Sequence, residues 1–136
     1  MDTVIEIAIT PNRPDALGVR GIARDLAARG LGVLKTYPVE PVMGQFPCPI
    51  SVTIDADTQA QCPVFFGRVI REVKNGPSPA WLQDRLKAIG LRPISALVDI
   101  TNFFTYDNNR PLHVFDADKV EGSALRVHRA TGGEVF

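Results

Sequence analysis

The chain has 136 residues, 45% of them apolar, which is typical of one soluble globular domain with its own core. Its 15 basic and 15 acidic side chains cancel, so no net charge would attract nucleic acid from a distance. The N-terminus, MDTVIEIAIT, lacks the basic start and long apolar stretch of a signal peptide. No run approaches the roughly 20 apolar residues that a membrane helix requires.

The first third of the chain predicts a strand and then an amphipathic helix. Residues 4 to 10 alternate apolar with polar or small side chains, as a half-buried strand does. The rigid TPNRPD loop follows, and its Asp15 can cap a helix over residues 17 to 29 that ends at Gly30. The predicted buried stripe of this helix has the spacing i, i+3, i+4, i+7 and comprises Val19, Ile22, Ala23 and Leu26.

The middle of the chain predicts two strands and a second helix. Residues 31 to 49 are rich in Pro and Gly and form a connection, whereas residues 50 to 55 and 64 to 73 have the composition of strands. Ser78 before Pro79 indicates a capped helix start, and Gly90 indicates its end. The predicted inner face of this helix comprises Trp81, Leu82, Leu86 and Ile89.

Residues 95 to 109 predict a third helix, because their apolar side chains share one face of a helical wheel. Asp99 and Asn102 fall on the opposite face, and short strands follow at residues 112 to 116 and 125 to 130. This order predicts an α+β fold in which a mixed or antiparallel sheet packs with about three helices. The predicted apolar face comprises Leu97, Ile100, Phe103 and Phe104.

Two features indicate the setting of the chain. Cys48 and Cys62, the only cysteines, form no CxxC or zinc pattern, so we predict reduced thiols in a cytoplasmic protein. The final TGGEVF is a turn followed by two apolar residues, as if a strand were starting. We therefore expect residues 1 to 136 to be a single domain that is incomplete at its C-terminal end.

The sequence contains no GxGxxG, P-loop, HExxH or GxSxG motif, so it gives no support to a nucleotide-binding or hydrolase-elbow function. Arg13, Arg20 and Arg24 are either a solvated helix face or a contact for phosphate. His128 lies in an alternating stretch beside two arginines and receives no role.

His113 is the histidine with a possible chemical role. It follows Thr101 and Asn102 across one turn, and Arg92 begins the same helix–turn–strand unit. Four such side chains around one cavity would bind a substrate and position a water, without an obvious covalent nucleophile. The alternative is that His113 is only core or turn material. Asp116 and Asp118 either orient this histidine or only form the turn after it.

Several blocks of the chain resemble the editing domain in the β subunit of bacterial phenylalanyl-tRNA synthetase. They are EIAITPNRPDALGVRGIARDLAA, CPVFFGRVI, VKNGPSPAWLQDRLKAIGLRPISALVDITNFF and RPLHVFDADKV, in the family's order and over essentially the whole chain. The resemblance implies a parent enzyme that charges tRNA with phenylalanine, using ATP and Mg²⁺, as a cytoplasmic (αβ)₂ tetramer with no membrane contact. It implies that the charging site lies in the α subunit and that this stretch holds no cofactor or metal.

The resemblance also implies that this domain hydrolyses Tyr-tRNA(Phe) at the acceptor end. His113 corresponds to the family's catalytic histidine, and Arg92, Thr101 and Asn102 correspond to substrate-binding residues of the editing pocket. The phenol-reading glutamate of the family lies further along than Glu134. Editing is needed because an apolar pocket rejects an added hydroxyl only about a hundredfold.

Two other functions stay open from the sequence. The stretch could be a non-catalytic structural or tRNA-facing module of a β subunit. A free-standing relative that acts in trans is the third hypothesis, although the N-terminal match to a domain junction argues against it.

Overall fold

Three α-helices and a two-stranded sheet form the regular structure of residues 3 to 135, the part of the chain that this computed structural model describes. This confirms the predicted α+β class with about three helices. The helices are α1 (Val19–Ala28), α2 (Ala80–Ala88) and α3 (Ala96–Asn108), and the strands are β1 (Ser51–Ile54) and β2 (Ala124–Val127). Short 3-10 helices lie at Pro14–Ala16, Ala117–Lys119 and Glu121–Ser123.

The chain divides into two units, each of which is assembled from two separate stretches of sequence. Unit 1 comprises Met1–Glu40 and Lys74–Val114, and therefore contains all three α-helices. Unit 2 comprises Pro41–Val73 and Phe115–Phe136, and contains both strands.

The sheet is smaller than predicted, and its two strands run parallel, whereas a mixed or antiparallel sheet was predicted. β1 and β2 pair with Ser51 opposite Ala124 and Ile54 opposite Val127. An alternating pattern predicts the two faces of a strand, but it does not supply the neighbour that accepts its backbone hydrogen bonds. Three stretches that were predicted as strands and are fully described adopt no β-strand: residues 4 to 10, 64 to 73 and 112 to 116.

Helix α1 lies close to the 3-10 turn before it and to the end of α3. Gly18 is its N-cap, so the prediction that Asp15 caps this helix is wrong. A Cβ on Gly21 would lie 2.1 Å from the Asp15 carbonyl oxygen, and one on Gly18 would lie 2.6 Å from the Asn109 nitrogen. Glycine at both positions therefore permits contacts that any side chain would prevent.

The predicted buried stripe of α1 is largely uncovered within the described structure. Val19 and Leu26 are exposed, and Ile22 and Ala23 are only half-buried. The end of the helix is as predicted, because Gly30 follows it with a φ of 77°.

Helix α2 provides the best-buried apolar side chains of unit 1. Leu82 and Leu86 are 2% and 1% exposed, as predicted for its inner face. Gly90 has a φ of 83° and the Leu91 amide donates to the Leu86 carbonyl at 2.9 Å, which confirms the glycine stop. Trp81 and Ile89 are exposed, contrary to the prediction, and the Trp81 ring instead meets Phe103 edge-on at 5.6 Å.

Helix α3 confirms the third predicted helix but not the predicted burial of its faces. Asp99, which was assigned to the outer face, is fully buried, whereas Ile100 is exposed. Asn109 is the C-cap that follows the helix. Its left-handed φ of 53° turns the chain, and its backbone amide donates to the Phe104 carbonyl.

Candidate functional site

A buried carboxylate, Asp99, organises the start of α3 in unit 1. It accepts hydrogen bonds from the Ser78 hydroxyl and from the Ile94 amide, the latter at 2.9 Å. Asp99 lies in the first turn of its helix, where the helix dipole favours a negative charge. The network thus satisfies a buried carboxylate with one donor from the segment before α2 and one from the segment before α3.

Ser78 has a different role from the predicted one. The N-cap of α2 is Pro79 and the helix has no side-chain cap, so the prediction that Ser78 caps α2 is wrong. The Ser78 hydroxyl donates to Asp99 instead, while the Ser78 carbonyl accepts from the Gln83 side chain at 2.7 Å. Ser and Asp commonly cap helices, but here Ser78 and Asp99 bind each other. No local sequence pattern reveals this contact.

Arg92 is an exposed residue of the segment that joins α2 to α3. The residue before it is held by the Leu91–Leu86 backbone bond, and Ile94 is held by Asp99. Pro93 directly follows and disfavours a helical conformation at Arg92. Hydrogen bonds therefore hold the backbone on both sides of Arg92, and this residue is exposed to solvent.

Thr101 and Asn102 are half-buried neighbours on α3. The Thr101 hydroxyl donates to the Val98 carbonyl at 2.7 Å, so its oxygen can accept a further hydrogen bond but cannot donate one unless that bond is broken. Consecutive helical residues point about 100° apart, so these two side chains would contact different parts of one ligand.

His113 is an exposed residue of the irregular segment that follows α3. It belongs to unit 1, as do Arg92, Thr101 and Asn102. The four predicted site residues thus occupy three successive pieces of one unit: the segment before α3, the helix itself and the segment after it. Their convergence on one substrate stays a prediction.

Asp116 forms a turn, one of the two alternatives for this residue. Its carboxylate accepts from the Asp118 amide at 3.2 Å and caps the 3-10 helix Ala117–Lys119. Sequence reasoning left this residue open because a turn-forming aspartate and a histidine-orienting aspartate have the same local spacing.

The arginines of the first helix region do not form a free basic face. Arg13 binds Asp15 at 3.0 Å and Asp25 at 2.5 Å, and Arg24 contacts the same two carboxylates. The Arg13 hydrogen bond, with help from Arg24, lowers the pKa of Asp15 from 3.8 to about 2. These paired charges make the phosphate-contact hypothesis unattractive for Arg13 and Arg24.

Arg20 is the third arginine of that predicted face, and it behaves differently. Its guanidinium lies over the Tyr37 ring, 5.5 Å from the centroid. It therefore covers an aromatic side chain of the same unit.

An open groove of about 410 Å³ runs along α1 in unit 1. It contains none of the four predicted site residues, so this groove and the predicted site are separate features. The groove is lined mainly by apolar side chains, among them Val19, Ala23, Leu26, Leu31, Val33 and Leu34.

Residues 3 to 135 contain no group of three or more His, Cys, Asp or Glu side chains placed to hold a metal ion. Over the same range, none of the helices is sufficiently long and apolar to cross a membrane. Cys48 and Cys62 are free thiols, the first exposed and the second half-buried.

Comparison with known protein families identifies residues 61–136, more than half of the chain, as a match to the B3/4 domain model. The chain belongs to the B3/4 domain family. The matched part of this B3/4 protein includes Arg92, Thr101, Asn102 and His113 as well as the buried Asp99.

Curated relatives of this B3/4 protein match it from end to end. It is 76% identical over 136 residues to the phenylalanine–tRNA ligase β subunit of Ruegeria pomeroyi, covering 100% of this chain and 17% of that protein. The β subunit of Cereibacter sphaeroides is 69% identical over 134 residues, 98% of this chain and 16% of its own length. The chain thus spans about one sixth of the length of these relatives.

Proposed function

We propose that the chain is part of a phenylalanine–tRNA ligase β subunit and contributes to a site that hydrolyses tyrosine wrongly joined to tRNA(Phe). The observation that carries this proposal is the end-to-end similarity to β subunits, at 76% identity over 136 residues. The RPLHVFD and VDITN blocks lie inside the B3/4 match, and the histidine of the first block is exposed.

The proposed chemistry is hydrolysis of the ester between tyrosine and the terminal adenosine. Water attacks the ester carbonyl, an oxyanion forms, and the adenosine hydroxyl leaves with a proton. His113, an exposed residue, is suited to hold and deprotonate that water because a neutral imidazole nitrogen can accept its proton. No covalent enzyme intermediate is required.

The other predicted residues would bind the substrate around that reaction. The Asn102 carboxamide can donate to the developing oxyanion, and the Thr101 hydroxyl can accept a hydrogen bond while it donates to Val98. The exposed Arg92 carries a permanent charge that suits the acceptor-end phosphate.

The setting that we propose follows the relatives. The chain would be one part of a single domain in a cytoplasmic (αβ)₂ enzyme, with the α subunit and the tRNA acceptor end as its partners. ATP and Mg²⁺ would serve the charging reaction elsewhere in that enzyme. The paired Arg13 and Arg24 and the zero net charge fit a domain that receives only the acceptor end.

The decisive experiment measures Tyr-tRNA(Phe) deacylation by the complete αβ enzyme carrying His113→Ala. We expect the rate to fall by about 10² or more, the contribution typical of a general base. His128→Ala, the other histidine of the chain, is the matched control and should deacylate normally. Phenylalanine charging should be unchanged in both variants.

A non-catalytic module is the second candidate function. It is favoured by the Thr101 hydroxyl, whose proton is already used within α3, and by Asp99, whose contacts are structural. In that case His113→Ala would deacylate Tyr-tRNA(Phe) at the normal rate. That outcome would contradict the editing proposal.

A further inference from the structure

The segment between α2 and α3 is short and only partly buried, yet its backbone is held by hydrogen bonds at two points. Its first residue, Leu91, donates its amide to the Leu86 carbonyl at 2.9 Å, which closes α2. Three residues later the Ile94 amide donates to the Asp99 carboxylate, also at 2.9 Å. Pro93, between these two anchors, restricts the backbone of the residue before it.

Arg92 lies between the first anchor, Leu91, and the restricting Pro93. An exposed arginine on a mobile loop varies in both its backbone and its side-chain conformation. Ordering both on binding costs free energy. Here the backbone is fixed, so only the side chain remains to be ordered. A charged group that starts from a fixed backbone contacts phosphate at a lower entropic cost.

Of the two anchors, the Leu91–Leu86 bond belongs to an ordinary helix end, whereas the bond from Ile94 to Asp99 does not. Asp99 is completely buried, and Ser78, which donates to its other oxygen, is only 5% exposed. Its first oxygen faces Ile94 and its second faces Ser78, so one side chain joins the Arg92 segment to the start of α2. The carboxylate itself is too buried to meet a large substrate.

We infer that Asp99 is a positioning residue that holds the Arg92 segment in the conformation needed to bind the tRNA acceptor end. This inference rests on the proposed function, because it assumes that Arg92 contacts the substrate. It adds a residue that acts through another and touches no reacting atom.

The test is a double-mutant cycle in the complete αβ enzyme, with kcat/KM for Tyr-tRNA(Phe) deacylation as the readout. Asp99→Asn retains the volume but removes the charge, and Arg92→Ala removes the positioned group. We expect Arg92→Ala to lower kcat/KM about tenfold and Asp99→Asn to lower it several-fold, mainly through KM. The double variant should be no worse than Arg92→Ala alone, because Asp99 would have nothing left to position.

Thermal unfolding measures the structural contribution of Asp99 separately from its effect on deacylation. The thermal midpoint of Asp99→Asn should fall equally in the wild-type and Arg92→Ala backgrounds, whatever happens to deacylation. Ser78→Ala is the matched control, because it weakens the same buried network and leaves the Ile94 bond in place. It should lower the midpoint but change kcat/KM by less than Asp99→Asn.

Pro93→Gly provides a second route that leaves Asp99 intact, in case Asp99→Asn does not fold. This variant frees the backbone of Arg92, so it should raise KM in the wild-type background and have no further effect in Arg92→Ala. Normal deacylation by both Asp99→Asn and Pro93→Gly would overturn the inference. The inference would also be overturned if either substitution lowered kcat/KM by the same factor in the Arg92→Ala background as in the wild type.

The outcomes also separate this inference from the proposed function. If His113→Ala is inactive while Arg92→Ala is normal, editing stands and the positioning role of Asp99 is overturned. If His113→Ala deacylates normally, the editing proposal itself fails, and the inference with it.

Discussion

Units 1 and 2 differ in how far their side chains are buried. The buried apolar side chains of the described chain, Ala16, Leu82 and Leu86, all belong to unit 1. In unit 2, Phe66 is 90% and Ile70 is 71% exposed, although both lie in a stretch that the sequence predicts as a strand. A strand-like pattern therefore does not guarantee a buried face, whereas helices α2 and α3 each bury part of theirs.

The physical reason lies in the backbone. A helix satisfies its own amides and carbonyls, so its side chains are free to pack against whatever lies nearby. An extended segment must find a neighbour for its backbone first, and in unit 2 only β1 and β2 form such a pair among the described residues. Burial in unit 2 consequently depends on pairing partners rather than on composition.

The largest effect should come from shortening a side chain in the core of unit 1. Leu86→Ala removes a side chain that is 1% exposed, and we expect it to lower the free energy of unfolding by about 2–5 kcal/mol. Phe66→Ala removes a larger side chain from unit 2 and should change it by only about 0.5 kcal/mol, because that ring is exposed. Urea unfolding measures both. Equal losses would show that Phe66 is covered in solution and would remove the contrast between the units.

A smaller effect should come from glycine. Alanine normally stabilises a helix interior, but at Gly21 its Cβ would lie 2.1 Å from the Asp15 carbonyl oxygen. We expect Gly21→Ala to destabilise by about 1–3 kcal/mol, as overpacking does. Gly44→Ala in unit 2 meets nothing within 4 Å and should be neutral or stabilise by about 0.4–1 kcal/mol. Thermal unfolding of the two variants, side by side, checks the pair.

The smallest effect should come from the exposed ion pairs, and it should depend on pH. The folded-state pKa of Asp15 is lowered to about 2 from 3.8, so its ion pairs contribute stability above pH 3.8 and lose it as the pH falls toward 2. Arg126, through its hydrogen bond, likewise lowers the pKa of Asp55 in unit 2. Asp15→Asn and Asp55→Asn should each lower the unfolding midpoint at pH 6, and the difference from the wild type should shrink as the pH falls below 3.8.

Salt provides the control for this last prediction. Both carboxylates are partly exposed, so the difference at pH 6 should shrink as sodium chloride screens the pairs. A difference that persists unchanged at pH 2 would mean that the substitution acts through packing and not through charge.

Much of the helical part was predictable because its signals are local. The stops at Gly30 and Gly90 follow from the left-handed backbone that glycine tolerates, and both were found. The presence of Thr101 and Asn102 on one helix was likewise predicted correctly. The burial of Asp99 was not, since its partner Ser78 lies 21 residues earlier in the chain.

The sequence by itself determined the α+β class, the three helices and the blocks that identify the B3/4 family. These depend on residues within a few positions of one another, where spacing and backbone preference are sufficient. Only the tertiary structure decided that β1 pairs with β2 in parallel, that Arg13 and Arg24 are occupied by Asp15 and Asp25, and that Asp99 holds the Ile94 amide. The strand pair joins residues that are distant in the chain, and the Arg13–Asp25 and Arg24–Asp15 contacts join residues 12 and 9 positions apart. In every case the choice of partner depends on which donors and acceptors the folded chain brings within reach.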